Sequence, residues 1–241
     1  NLGGDERIYP ASMTKIMTAL LTIENLPDLN ETITVPEDIF EELTAQDASV
    51  AGFNPYEQPT VRDLLYGVLL PSGADACETL ARAVGGSEEG FVAMMNQKAE
   101  ELGLTNTHFE NCTGLHNDNH YSTCRDIAVL MSECLKSDTF REIVTREVYT
   151  TEATASHPEG ITLYDTMLHR FTSYEMSTTL ENGAVIEGGK TGFTDEAGQC
   201  LVSFAEYGGE EYILVTAEAM TDSGSAVDSI ADASTVYGRL Q

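Results

Sequence analysis

The sequence predicts an α+β domain in which helices cover an antiparallel sheet. Helical periodicity dominates up to Val144, and period-two alternation takes over from Gly188. The chain then closes on Ala226, Ile230, Ala233, Val236 and Leu240, whose spacing supplies an amphipathic helix to lie on that sheet.

The elements follow in order. Pro10 suits a first-turn position, where its missing N–H is harmless, and Ile16, Ala19, Leu20 and Ile23 then give a helix with one apolar face. Pro27 disfavours helix just before it, so this one stops near Asn25. Thr32-Ile33-Thr34-Val35 alternates and reads as a short strand, Glu37 to Leu43 as a helical turn, and Thr44 to Pro59 as loop. Thr60 is an N-cap with Asp63 at the third helical position, close to a capping box, and Leu64, Leu65, Val68 and Leu69 carry the helix to Pro71. A turn at Pro71-Ser72-Gly73 leads directly into a helix from Ala74 through Ala81, so it projects Ser72 into the space those helices border. Gly85-Gly86-Ser87 ends that helix and caps another, Glu88 to Leu102, with Gly103 as its stop. Asn106 to Thr123 is loop, Arg125 to Leu135 and Thr139 to Val144 are helical, and Glu147 to Thr151 is strand. Glu152 to Val185 carries mixed signals that assign no element. Lys190 to Thr194 and Gln199 to Ala205 are strands, and Gly208-Gly209 turns the chain into a third, Tyr212 to Ala219. With no repeat or low-complexity linker, residues 1–241 read as a single domain.

Composition narrows the function. A chain of 241 residues with 41% hydrophobic residues and mean hydropathy −0.17 has material for a real core. Apolar runs such as Leu64 to Leu70 are too short to span a bilayer, and no basic, apolar leader opens the chain. A formal charge of −28, from 40 acids against 12 bases, leaves no basic stripe to neutralise phosphates and excludes nucleic acid as a partner. The acids are spread along the chain, as a solvated acidic surface requires. Five cysteines, Cys77, Cys112, Cys124, Cys134 and Cys200, form no Cys-x-x-Cys and read mostly as buried small hydrophobes. Cys112–Cys124 is the only loop pair worth testing for a disulfide.

Three short motifs carry chemistry. Ser12-Met13-Thr14-Lys15 sets a hydroxyl and an amine three residues apart on one helix face, near the positive end of the dipole. That is the arrangement of a serine nucleophile with a lysine base. Alone it is weak, since Ser-x-x-Lys arises about once by chance in a chain of this length. Ser72-Gly73-Ala74 stands on the inter-helix turn, and Lys190-Thr191-Gly192 on a strand edge. Two of the only four lysines, Lys15 and Lys190, fall inside these motifs. His116 and His120 are four apart, but in an Asn-rich loop without a helical His-Glu-x-x-His, so neither a metal nor a cofactor is expected.

Together the three motifs resemble those of the active-site serine penicillin-binding proteins and β-lactamases. The flanks Arg7 to Ser12, Leu69 to Gly73, Asn106 to Phe109, Tyr121 to Thr123 and Gly189 to Thr194 are similar to low-molecular-mass D-alanyl-D-alanine carboxypeptidases. The resemblance implies a β-lactamase/penicillin-binding-protein-like fold, with an all-helical subregion beside the sheet and the active site between them. It implies that Ser12 attacks the penultimate D-Ala of a peptidoglycan stem peptide ending in D-Ala-D-Ala and forms an acyl-enzyme, with β-lactams as inhibitors. Lys15 would be the general base and Ser72 a proton relay. Lys190 and Thr191, with Gly192 beside them, would hold the terminal carboxylate, and Lys190 would keep Lys15 partly deprotonated. The N–H groups of Ser12 and Phe193 would form the oxyanion hole. Ala74 stands where the family has an asparagine that orients substrate and base, so a neighbour such as Asp75, or a water, would have to substitute. The family's C-terminal β domain and membrane anchor, and two strands ahead of the serine, are absent from this chain, so membrane association would come only through segments outside it. Work outside the cytoplasmic membrane is implied. Two alternatives stand beside a DD-peptidase: a non-catalytic penicillin-recognising or peptidoglycan-binding protein, degraded at Ala74, and a β-lactamase. The second is weakened because no Glu-x-x-x-Asn lies between the motifs.

Overall fold

The computed structural model of the chain describes residues 3–219 and 227–241. In chain order its elements are β1 (Arg7–Ile8), α1 (Lys15–Asn25), α2 (Ile39–Ala45), α3 (Val61–Leu69), α4 (Ala74–Gly85) and α5 (Glu88–Glu101). They continue with β2 (Ser122–Thr123), α6 (Cys124–Cys134), α7 (Asp138–Val144), β3 (Val148–Thr150), β4 (Thr162–Tyr164) and α8 (Leu168–Ser173). The last elements are β5 (Val185–Thr194), β6 (Gly198–Tyr207), β7 (Glu210–Ala219) and α9 (Asp228–Tyr237).

The antiparallel sheet runs β5-β6-β7, and both its faces are covered. Alternation along β6 explains how. Cys200, Val202 and Phe204 join the helical core, while Leu201 and Ala205 join Met167, Leu168 and Phe171 around α8 and Ile230, Ala233 and Tyr237 on α9. Period two sends successive side chains to opposite layers, so a strand buried from Gly198 to Ala205 is a strand between two cores. On the helical side α1 lies at the centre, against α3, α4, α5, α6 and α7. Every residue from Lys15 to Thr22 is buried. The one-faced helix read from the sequence is therefore enclosed all round, its threonines satisfied by carbonyls such as Thr18 Oγ1 donating to Cys112 O at 2.6 Å.

Local signals account for most boundaries. Thr60 caps α3 by accepting from Asp63 N–H at 3.1 Å, and the Asp63 carboxylate takes Thr60 N–H at 3.2 Å in return, the predicted box. Asp63 also accepts from Tyr149 Oη at 2.9 Å and Glu152 N–H at 3.1 Å, tying the segment after α7 to α3. Asp63→Ala is expected to destabilise the protein by about 3 kcal/mol, because it strands several buried donors at once. The urea midpoint reads this directly. Gly86 at φ +75° and Gly103 at φ +71° take the left-handed conformation that stops α4 and α5.

Three expectations need correction or placement. Thr32 to Val35 is extended but forms only the single bridge Thr32–Thr60. Ile33 N–H reaches the carbonyl of Pro59, which has no N–H to return the bond, and Val35 donates to Glu57 O at 2.9 Å but accepts from Tyr56 N–H, so the pairing continues without a regular ladder. All five cysteines are free thiols; Cys112 is buried at one end of the proposed pair, and Cys124 opens α6 at the other. The closing helix begins at Asp228, and Ala226 lies outside the described residues.

Candidate active site

A single 3-10 turn, Ala11–Thr14, carries Ser12 into α1. Ala11 sits at φ +47°, left-handed and strained for an alanine, and the surrounding contacts hold it there. Gly192 of β5 lies against the turn: a Cβ on it would be 3.0 Å from Pro10 O and 3.1 Å from Ser12 N. On the other side Gly114, at φ +84°, approaches so closely that a Cβ would stand 1.9 Å from Ala11 O. Asn111 holds that loop in place by accepting from Thr113 N–H at 3.2 Å and Gly114 N–H at 2.7 Å. Gly114→Ala is expected to cost about 3 kcal/mol or more and to slow any reaction at Ser12, since the loop and the turn must separate. Urea unfolding and an acylation rate would register the two losses.

Lys15 Nζ donates to Ser12 Oγ at 3.0 Å and to Thr113 O at 2.6 Å. The side chain is 3% exposed, and burial holds its pKa below the usual lysine value. Lys190 is fully buried on β5, its Nζ donating to Thr191 O at 3.1 Å. Burial first, and the charge of Lys15 second, push it down to about 7, while Asp165 pulls the other way. The family resemblance assigns the depression of Lys15 to Lys190; the cause seen here is desolvation of Lys15 itself, which outweighs the opposing pull of Cys77, Cys112 and Asp75. Thr191 Oγ1 shares a hydrogen bond of 2.6 Å with Thr166 Oγ1.

Ser12, Lys15, Ala74, Thr113 and Phe193 line one cleft of 80 Å³ together with Asp47 and Ser49. Ser72, Lys190 and Thr191 are not among its lining residues. Ser72 sits at φ +67° at the head of α4, 7% exposed, its Oγ without a hydrogen-bond partner among the described residues. Ala74 presents only a methyl group. Asp75 does not replace the missing amide, because its carboxylate accepts from the N–H groups of Ala51 at 2.7 Å, Gly52 at 3.0 Å and Phe53 at 3.1 Å. Phe193, 55% exposed, stands at the mouth.

A larger cavity of 510 Å³ adjoins the cleft through Thr113, Leu115 and Thr194, and its acids include Glu42, Glu78, Glu88 and Glu110. There Glu78, Glu88 and Cys112 put one donor atom each within 4.8 Å of one another, a spacing a metal ion could bridge. Burial and the adjacent Glu88 push Glu78 up to about 8, and Cys112 Sγ donates to it at 3.4 Å. No sequence signal marks this group, since its members come from two helices and a loop. The loop histidines do not act as a pair: His116 lies edge-on to Tyr9, and His120 is buried against Thr14.

Residues 2–221 match the family described as peptidase S11, D-alanyl-D-alanine carboxypeptidase. The chain belongs to that family. Similar proteins include D-alanyl-D-alanine carboxypeptidase DacF of Bacillus subtilis, 36% identical over 92% of this chain and 54% of the relative. The D-alanyl-D-alanine carboxypeptidase of Streptomyces sp. strain K15 is 36% identical over 87% of this chain and 72% of the relative. The chain thus spans about half the length of the first of these. Among solved structures, the Streptomyces K15 DD-transpeptidase superposes with a TM-score of 0.81 at 32% identity, over 98% of this chain and 89% of that one. Penicillin-binding protein 5 of Haemophilus influenzae superposes with a TM-score of 0.78 at 28% identity, over 95% and 64%. The S11 fold is therefore the α+β arrangement expected from the sequence, with the cleft between β5 and the helical half.

Proposed function

We propose that this S11 chain is a serine DD-peptidase that removes the terminal D-Ala from peptidoglycan stem peptides through an acyl-enzyme on Ser12. The observation that carries the reading is the 3.0 Å contact between Ser12 Oγ and a buried Lys15 Nζ whose pKa is lowered. A neutral amine at that distance takes the hydroxyl proton as Oγ attacks the penultimate D-Ala carbonyl. The N–H groups of Ser12 and Phe193 stabilise the oxyanion. Ser72 passes the proton to the leaving D-Ala amine, and Lys190 and Thr191, beside Gly192, hold the terminal carboxylate. Water then releases the shortened peptide. In this reading residues 1–241 are one catalytic domain working outside the cytoplasmic membrane, and β-lactams acylate the same serine. Among the described residues no helix is long and apolar enough to cross a membrane.

The test is intact mass after incubation with a penicillin, together with D-Ala release from a peptide ending in D-Ala-D-Ala. One penicilloyl group on the peptide that contains Ser12, with D-Ala released, is the expected result. An adduct without release would make the protein a recogniser, the alternative that the methyl group of Ala74 raises. Rapid turnover of the drug would make it a β-lactamase, and no adduct would remove Ser12 from the chemistry.

A further inference from the structure

His120 lies outside the three motifs, yet it joins the two sides of the site. Its ring is 2% exposed and sits edge-on to Phe109, the centroids 5.5 Å apart. Glu110 N–H donates to Nδ1 at 3.2 Å, and Nε2 stands 2.8 Å from Thr14 Oγ1. With a backbone N–H on Nδ1, the ring proton belongs on Nε2 and is donated to the threonine hydroxyl. Thr14 is fully buried and lies between Ser12 and Lys15 in the chain. Glu110 opens the loop whose Thr113 carbonyl receives Lys15 Nζ at 2.6 Å. One ring therefore connects the turn that carries the hydroxyl to the loop that aims the amine.

The geometry points to His120 as a positioning residue for Ser12 and Lys15, a neutral, Nε2-protonated strut between the turn 11–14 and the loop 110–114. Both contacts exist only in that form, because a second ring proton would face the Glu110 N–H. The surroundings agree: burial is the main force against a charged ring, and His108, His116 and Lys15 add to it, lowering the pKa to about 3. The carboxylate of Glu110 does not compensate, since it engages His108 at 3.0 Å. With both nitrogens occupied, His120 is neither a general base nor a metal ligand. The proposal rests on the reading of Ser12 as nucleophile.

Its test compares acylation by a penicillin in four folded proteins: wild type, His120→Leu, His120→Gln and Thr14→Val. A displacement of the hydroxyl relative to the amine of about 1 Å costs on the order of 100-fold. His120→Leu and the nearly isosteric Thr14→Val are accordingly expected to acylate about 10- to 100-fold more slowly. Glutamine keeps one acceptor and one donor at the end of a side chain of similar length, so His120→Gln should remain within about threefold of wild type. In ¹⁵N spectra of the wild type, the ring should show one protonated and one bare nitrogen, unchanged between about pH 5 and pH 8. The strut is overturned if His120→Gln is as slow as His120→Leu, if Leu and Val both react at the wild-type rate, or if the ring carries its proton on Nδ1 or on both nitrogens. A wild type that never acylates would instead overturn the role of Ser12, and the spectra would still decide the ring's state.

Discussion

Ser12→Ala is expected to give no penicilloyl adduct at any incubation time, and to lower D-Ala release by about 10⁴-fold or more. The loss is of this size because the substitution removes the atom that forms the covalent bond. Nothing else should change. Ser12 is only partly buried, and Lys15 keeps its 2.6 Å bond to Thr113 O when the hydroxyl is gone. The unfolding midpoint should stay within about 0.5 kcal/mol of wild type. Intact mass and a release assay on the same preparation check both halves. An adduct that persists in the variant would place the nucleophile elsewhere.

Lys15→Met should behave differently, and the difference separates nucleophile from base. A methionine of similar length fills the space of the lysine stem but takes no proton. Acylation is expected to slow by about 10²–10⁴-fold, the range of general base catalysis, while the adduct still accumulates on long incubation because Ser12 remains. Replacing a buried ammonium by an apolar group offsets the lost hydrogen bonds by ending its desolvation, so stability should move by only about 1 kcal/mol. Acylation rates measured against time, beside a thermal melt, give the two readings. A variant that acylates as fast as wild type would remove Lys15 from proton transfer.

Much of this site was legible because its residues announce themselves in chain order. Ser12, Lys15, Ser72 and Lys190 each stand at a helix start, a turn or a strand that local pattern places correctly, and the box at Thr60 and Asp63 and the hairpin at Gly208-Gly209 needed no tertiary information. What escaped was set by contacts between distant segments. The carbonyl of Thr113 has no side-chain signature, and the burial of His120 follows from the loop folding back on Phe109 and Thr14. The segment from Glu152 to Val185 was opaque for a related reason. Its helix α8 is short and begins where the carboxylate of Asp165 accepts from Met167 N–H at 2.8 Å and Leu168 N–H at 2.6 Å, while its burial comes from packing beneath the sheet. The segment Thr32 to Val35 falls short of a regular strand because alternation says nothing about Pro59 and the shifted bonds at Glu57 and Tyr56 on the facing segment.

The pairing of β1 with β2 has a kinetic side. Arg7 lies opposite Thr123 and Ile8 opposite Ser122, so the segment just ahead of Ser12 is anchored to chain made much later. Its remaining neighbours, the loop at Gly114 and the strand at Gly192, also come from distant parts of the chain. Loop closure over such separations is slow compared with helix formation. During synthesis Ser12 therefore emerges long before Gly114, Ser122 and Gly192, and its surroundings are complete only when those segments have docked.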